Sequence, residues 1–426
     1  MSERASESAV EARAGWVLIA QLVALLVMIL VTFRLWWPQE HLSTAEVFAF
    51  PSVPVFGLLE SSGLGVQRIT VGFLMLAIVL ALVVVSCTRG KRARGGLMAL
   101  VTVLLLAAVL FNQHRFLPWV YQSMLIFAAA VLLSRFEFFK WCRLILVTIY
   151  LFSAISKFDY QFITTTGRTM FHTLTGWIGL ESPAWDASLL NFCVFCLPCA
   201  EMLIGLGLCF SATRATAVVA GFAMHVSLLL ILGPLGLGHA ESVLVWNGLL
   251  IFQLGLLYWP VKRNPSAVRQ SEKPVKVSVT YRLMVILLLA APVLEKLDLA
   301  DHWPAWELYA PRTSRCRIWI VDWKIPLLPS SVQKHVRAKR VNSDGPQLLR
   351  ELDLSRWSID SLNVPVYPQD RFQLGVAIHI VKRLNLEQGF QVKLQSAANR
   401  WTGERKTLTL TNLKALQEKK GEFWLK

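Results

Sequence analysis

Lys157 is the first residue whose type and position suggest chemistry. It ends a long apolar run, in the string FSAISKFD over residues 152–159. Desolvation disfavours the charged form of an amine, so a lysine in such a place can serve as a general base or substrate anchor. The alternative interpretation is a lysine that extends toward the membrane interface and pairs with Asp159.

Glu201 and His225 are ionisable residues inside two consecutive apolar runs. Each lies about nine or ten residues from the same end of its run, so antiparallel helices would place both at nearly one depth, at a rise of about 1.5 Å per residue. A Glu–His pair there could relay protons. It could equally be a buried hydrogen-bonded pair that fixes helix packing.

Three cysteines share a spacing of three residues, at Cys193, Cys196 and Cys199, with Pro198 before the third. This spacing places neighbours about one helical turn apart on one broad face. A redox pair or a metal site is conceivable, yet no histidine stands nearby and four closed zinc ligands are not visible, so we predict no metal. The alternative is that the three side chains only pack as small apolar groups.

The composition places these residues in a membrane protein. Of 426 residues, 55% are hydrophobic and 16% are charged, with a mean hydropathy of +0.50. The apolar residues form runs close to the length of about 20 residues that a helical span needs. The nine predicted spans are Gly15–Phe33, Ile69–Cys87, Leu97–Phe111, Trp119–Leu133, Leu144–Ser156, Ala187–Phe210, Ala215–Leu232, Val243–Trp259 and Leu283–Leu297.

The net charge of +16 indicates how the chain is oriented in the membrane and does not indicate a nucleic-acid partner. Much of the positive excess lies in every second short loop, and no zinc-finger spacing or RNA-binding motif accompanies it. The basic loops lie within 89–94, 135–143 and 262–282, with Arg214 in a fourth. The positive-inside rule therefore predicts a multi-pass protein of the cell inner (plasma) membrane with a cytoplasmic N-terminus and an extracytoplasmic C-terminus.

The sequence predicts three parts with different characters. Residues 1–143 hold about four transmembrane helices, and 144–300 hold about five. Residues 301–426 read as an extracytoplasmic domain that could bind a protein partner. The fold class is thus an all-α polytopic membrane bundle of about nine transmembrane helices with a small C-terminal α+β extramembrane domain.

Local patterns predict the elements of that domain and one further helix. Strands are predicted over Phe372–Val381, Phe390–Ser396 and Thr407–Leu413, and helices over Val332–Arg340 and Pro346–Leu354. The stretch Phe162–Leu180, which mixes Arg168 and His172 with apolar residues, predicts an interfacial or re-entrant helix.

Two strings resemble the DoxX/MauE-like family of small four-helix membrane proteins. The first ends a helix in Ser153–Lys157 of FSAISKFD, and the second is LPCAEMLIGLGL over 197–208, followed by Arg214. The resemblance covers roughly 144–260 and implies that 144–300 is a DoxX/MauE-like membrane core. It implies a redox-associated accessory protein that acts on the outer side of a bacterial-type membrane. The sequence does not name its cofactor, for which a quinone is one candidate.

The architecture is also similar to the horizontally transferred transmembrane domain, which is related to vitamin K-dependent γ-carboxylase. That resemblance implies a membrane enzyme in which Lys157 is the base, although no second lysine stands beside Lys157 as it does in the carboxylases. Three hypotheses follow: a redox accessory protein that uses the three cysteines, an enzyme that uses Lys157 with Glu201 and His225, and a non-catalytic membrane scaffold. The sequence favours the first by a small margin.

Overall fold

The structure is a computed structural model of the chain. It describes residues 2–37, 48–57, 59, 64–87, 91–258, 277–297, 299–342, 348–386 and 389–423. Of the predicted basic loops 89–94 and 262–282, residues 89–90 and 262–276 lie outside the described residues.

Helices form most of the described chain before residue 300. Their bounds are α1 Ser2–Val31, α2 Phe33–Trp36, α3 Leu64–Cys87, α4 Lys91–Phe111, α5 Pro118–Leu132, α6 Arg135–Lys157, α7 Tyr160–Thr164, α8 Thr166–Trp177, α9 Ala187–Cys209, α10 Arg214–Leu232, α11 Glu241–Tyr258 and α12 Val279–Glu295. Seven of these helices are long and apolar enough to cross a membrane, namely α1, α3, α4, α6, α9, α10 and α11. They are compatible with an integral membrane protein.

The prediction of nine spans is confirmed only in part. Each predicted run falls on a helix, but α5 has 15 residues and α12 has 17, which is shorter than the seven long helices. The predicted interfacial segment is also helical, as α7 and α8. Arg168 of α8 donates a hydrogen bond to Asn191 at 2.7 Å, near the beginning of α9, so α8 packs beside one end of the bundle.

A chain of buried amides ties three helices together inside the bundle. Gln253 of α11 donates to Gln21 of α1, and Gln122 of α5 donates to Gln253, each at 2.8 Å. Trp246 donates to Gln122 at 2.7 Å, and Gln21 donates to Ser123 at 2.8 Å. Because each side chain has partners on a neighbouring helix, the network fixes how α1, α5 and α11 pack.

The C-terminal region contains a five-stranded antiparallel sheet in the order β2-β3-β1-β4-β5. The strands are β1 Arg315–Val321, β2 Val336–Asn342, β3 Leu348–Leu352, β4 Phe390–Gln395 and β5 Thr407–Leu410. The helices are α13 Ser330–Gln333, α14 Leu354–Leu362, α15 Asp370–Arg383 and α16 Leu413–Gly421. The α+β class is confirmed here, as are the predicted strands that begin at Phe390 and Thr407.

Three local predictions in this region are wrong. The predicted strand Phe372–Val381 lies in helix α15. The predicted helix Val332–Arg340 overlaps most of strand β2, and the described part of the predicted helix Pro346–Leu354 contains strand β3. The sequence of α15 is rich in β-branched residues, but nearly all of its middle is buried, by β1 and β4 among others. A short apolar run buried on several sides has no periodicity that separates strand from helix.

The C-terminal region caps one end of the bundle, which we call the capped end. His114, between α4 and α5, hydrogen-bonds the carbonyl of Pro365 at 2.9 Å. The amide of Tyr160 donates to the carbonyl of Arg400 at 2.8 Å, and Asn363 donates to the last carbonyl of α1 at 3.1 Å. The region therefore packs as a layer on the bundle, at the end opposite to the beginning of α1.

Arg115 gives a first prediction about this end. Its guanidinium is fully buried and donates to the carbonyls of Leu35, Trp36 and Ala108 at 2.9–3.1 Å. Arg115→Leu should remove three buried hydrogen bonds at about 1 kcal/mol each, or roughly 3 kcal/mol in total. Only the carbonyl of Ala108 keeps a second described donor, the amide of Asn112. Thermal unfolding in detergent micelles measures the loss. Arg115→Lys should recover only part of it, and full recovery by Lys would show that charge alone matters.

Candidate functional site

The three predicted ionisable residues line one cavity of about 260 Å³. The cavity lies between α6, α8, α9, α10 and α11, and a loop of the C-terminal region closes its side at the capped end. Its apolar walls come mainly from Met170, Phe171, Leu174, Leu197, Met224, Leu228, Ile231 and Leu250. Its polar groups are Tyr150, Ser153, Lys157, Glu201, His225, Ser227, Asn247 and Tyr309. We call it the inner cavity.

Lys157 and Glu201 form an ion pair at the edge of the inner cavity. The ammonium Nζ lies 2.7 Å from Oε2 of Glu201 and donates to Oγ of Ser153 at 2.6 Å. Only 8% and 13% of the two side chains are exposed, so the pair is largely desolvated. An ammonium has three donors and these contacts use two of them. A third N–H remains for a ligand.

His225 belongs to a second polar chain of the cavity, which includes Tyr150 of α6, the helix that also carries Lys157. Its Nδ1 lies 2.9 Å from Oδ1 of Asn247, and its Nε2 lies 2.7 Å from the hydroxyl of Tyr150. The amide nitrogen of Asn247 donates to the carbonyl of Val243, so Oδ1 must accept. His225 therefore carries its proton on Nδ1 when neutral, and Nε2 accepts the proton of Tyr150.

The structure changes the predicted pairing of these residues. Glu201 and His225 share the cavity but do not pair with each other, since Lys157 and Tyr150 are their respective partners. Lys157 does not pair with Asp159 either. The carboxylate of Asp159 accepts from the amide of Phe162 at 2.9 Å and caps α7, and burial raises its pKa.

Tyr309 is a site residue that the sequence analysis missed. Its ring lies 5.9 Å from Nζ of Lys157, which allows a cation–π contact. Its buried hydroxyl approaches Asn247 but has no partner at hydrogen-bonding geometry among the described residues. Burial raises the pKa of this hydroxyl, so it stays protonated. Its backbone φ of +58° is unusual for a bulky residue, and such conformations often occur at functional sites.

A buried ion network holds the loop that carries Tyr309. Nδ1 of His302 lies 3.0 Å from carboxylate oxygens of both Glu295 and Glu307. Lys296 pairs with both carboxylates, and Arg312 lies 3.1 Å from Glu295 and 3.6 Å from Glu307. The ligand atoms of the two glutamates and the histidine lie within 4.8 Å of one another, but Lys296 and Arg312 already neutralise the carboxylates. This donor set fits an ion network and not a cation site.

The network predicts a pH dependence of stability. Hydrogen bonds and ion pairs with Glu295 and Glu307 outweigh burial and raise the pKa of His302 from 6.5 to about 9. The protonated form of His302 stabilises the folded state fully below pH 6.5, and this contribution is lost as the pH rises through 9. We expect a loss of roughly 3 kcal/mol across this window, measured by unfolding between pH 6 and 10. The variant His302→Gln should lack this slope, and an equal slope in the variant would contradict the assignment.

The cysteines do not contribute to the inner cavity. Cys193, Cys196 and Cys199 are all free thiols on α9, and Cys196 is exposed on the surface of that helix. The residues of α9 that line the cavity are Leu197, Ala200 and Glu201. The geometry therefore offers no support for the predicted redox pair, and packing remains the simpler interpretation.

Comparison with known proteins identifies no family for this chain. No protein-family model, no curated protein and no solved structure matches the chain. The fold and the site define a class, a helical membrane protein with an ionisable cavity under a C-terminal cap. The DoxX/MauE-like and γ-carboxylase-like resemblances stay predictions.

Proposed function

We propose that this protein binds an amphipathic small molecule in the inner cavity and exchanges a proton with it through Lys157. The observation that carries the proposal is the orientation of a desolvated Lys–Glu pair toward an apolar cavity. Ionisable groups inside a membrane bundle are costly, and they mark functional sites by default. The ligand would place an apolar body among the apolar walls and an oxygen-bearing head group near Nζ of Lys157.

The pair supplies two protonation states that suit acid–base chemistry. As an ion pair, Lys157 presents a charged N–H donor to an oxygen of the ligand. Transfer of one proton from Nζ to Oε2 of Glu201, across 2.7 Å, leaves a neutral amine that can accept a proton from the ligand. The Tyr150–His225 pair lines the same cavity, and its two protons are donated to His225 and Asn247.

The proposal favours the enzyme hypothesis over the redox hypothesis that the sequence preferred. The enzyme hypothesis used Lys157, Glu201 and His225, and these three residues line one cavity, while the cysteines line none of it. We keep a plasma-membrane location with a cytoplasmic N-terminus as part of the proposal, since Arg135, Arg143 and Arg214 lie at the end opposite to the cap. A protein partner of residues 301–426 would have to bind away from the surface that contacts the bundle.

The test is the identity of small molecules that remain bound to the purified protein. Wild type, Lys157→Met and Cys196→Ala are isolated in nanodiscs from the same membrane, and bound compounds are extracted and compared by mass spectrometry. We expect a compound that is enriched with wild type and with Cys196→Ala, but depleted at least tenfold with Lys157→Met. Equal enrichment with all three proteins would refute the site. Depletion by a triple replacement of the α9 cysteines, but not by Lys157→Met, would restore the redox hypothesis.

A further inference from the structure

A second cavity, of about 300 Å³, adjoins the inner cavity at the capped end. We call it the outer cavity. It lies between the beginnings of α5 and α11 and the C-terminal segments 303–313 and 365–368. The two cavities share a wall made of Trp246, Leu308 and Tyr309. An occupant of the outer cavity would therefore also touch Tyr309.

The walls of the outer cavity are mostly flat and apolar. Three tryptophans contribute, Trp119, Trp246 and Trp303, together with the prolines Pro118, Pro311, Pro365 and Pro368. Aromatic and proline rings give large contact areas with little conformational freedom, and they suit a planar ligand. No charged side chain of the described lining is free for an ion, because the carboxylate of Glu307 is held by Lys296 and His302.

His239 is the polar group that can orient a ligand in this cavity. It lies in the turn between α10 and α11, and its Nδ1 accepts a hydrogen bond from the amide of Ala240 at 2.9 Å. A neutral imidazole that accepts at Nδ1 must carry its proton on Nε2, which then donates. Burial lowers the pKa of His239, which favours this neutral form. The ring also meets Tyr309 edge-on, with centroids 6.2 Å apart.

The other polar groups of the lining are weaker candidates. The hydroxyl of Ser242 already donates to the carbonyl of Asn363 at 3.0 Å. Thr166 and Thr313 contribute uncharged hydroxyls. The cavity thus combines aromatic walls, no available charge and one imidazole N–H. This combination excludes a cation or a carboxylate as the preferred occupant and selects a neutral acceptor.

We propose that the outer cavity is a second binding site, for a neutral aromatic ligand whose carbonyl oxygen accepts a hydrogen bond from Nε2 of His239. The site is distinct from the proton-transfer site and does not depend on Lys157. A compound bound there contacts the three tryptophans and rests against Tyr309.

Benzophenone is a suitable probe, because it is a neutral aromatic ketone that cross-links to its contacts under near-ultraviolet light. Wild-type protein in nanodiscs is irradiated at increasing benzophenone concentrations, and adducts are mapped by mass spectrometry. We expect saturable adducts on residues that line the outer cavity. Diphenylmethane, which lacks the carbonyl, should compete at least fivefold less well than fluorenone, which keeps it.

Two replacements of His239 separate the hydrogen bond from the shape of the site. His239→Phe removes the donor and should raise the half-saturating concentration about fivefold. His239→Gln keeps an N–H donor and an acceptor for Ala240, so it should stay within twofold of wild type. Thermal unfolding of both variants shows whether either has lost the fold.

Three outcomes would overturn the proposal. They are adducts only on lipid-facing residues, unchanged saturation in a folded His239→Phe, and equal competition by diphenylmethane and fluorenone. Lys157→Met should leave this labelling unchanged. Labelling of the outer cavity in a wild-type protein that retains no compound in its inner cavity would therefore refute the proposed function alone.

Discussion

Replacing Lys157 with methionine is expected to destabilise the protein by roughly 3 kcal/mol, the cost of a buried ion pair that has lost one partner. Methionine preserves most of the volume of the lysine stem, so the loss comes mainly from Glu201. That carboxylate is 13% exposed and would keep no cation within reach among its described contacts. The free energy of unfolding in mixed micelles, measured by denaturant titration, gives the value.

The control for this prediction is the double variant Lys157→Met with Glu201→Gln. It has no charge left to desolvate, so it should regain most of the lost stability while still failing to bind the ligand. A coupling energy of about 2 kcal/mol or more between the two positions is expected for such a pair. If the single and double variants are equally unstable, the ion pair does not form as described.

Glu307→Gln is expected to cost a similar amount, roughly 3 kcal/mol, because it removes one of two carboxylates from a cluster with three cationic groups. Only 2% of the Glu307 side chain is exposed, so water cannot solvate the cationic groups in place of the lost carboxylate. Lys296, His302 and Arg312 would then share Glu295 alone. The variant should also bind the ligand of the inner cavity more weakly, because residue 307 holds the loop that places Tyr309.

The matched control is Glu418→Gln on α16. Its partner Lys414 is 86% exposed and lies 3.8 Å away, so the expected change is below about 0.5 kcal/mol. Thermal unfolding of both variants at pH 7 makes the comparison. Equal, small shifts for Glu307→Gln and Glu418→Gln would mean that the network contributes no more than a surface pair.

The sequence alone predicted the positions of the long apolar helices well. A backbone inside a membrane must satisfy its hydrogen bonds internally, and a helix does this. The length and composition of each apolar run are therefore enough to predict a helix there. Lys157, Glu201 and His225 were found by the same logic, since an ionisable residue in such a run stands out. The common depth of Glu201 and His225 followed from the rise per residue along antiparallel helices. The position of Lys157 in the same cavity did not follow from that argument.

The partners within the site could not be predicted in the same way. Depth does not specify which faces of neighbouring helices meet, so the predicted pairs were Glu201–His225 and Lys157–Asp159. The structure contains neither of them. Tyr309 was missed because it belongs to an irregular segment that follows the last helix, and only tertiary packing brings it over Lys157. The buried helix α15 was taken for a strand because burial on several sides removes the periodicity that identifies a helix.

The most direct test of the central claim is an experimental structure of the protein isolated from its native membrane without added ligand. We predict non-protein density in the inner cavity, with an oxygen or nitrogen atom within about 3.2 Å of Nζ of Lys157. The Lys157–Glu201 contact should remain beside it. A cavity filled by side chains or by a lipid acyl chain, with Lys157 in contact only with Ser153 and Glu201, would contradict the account.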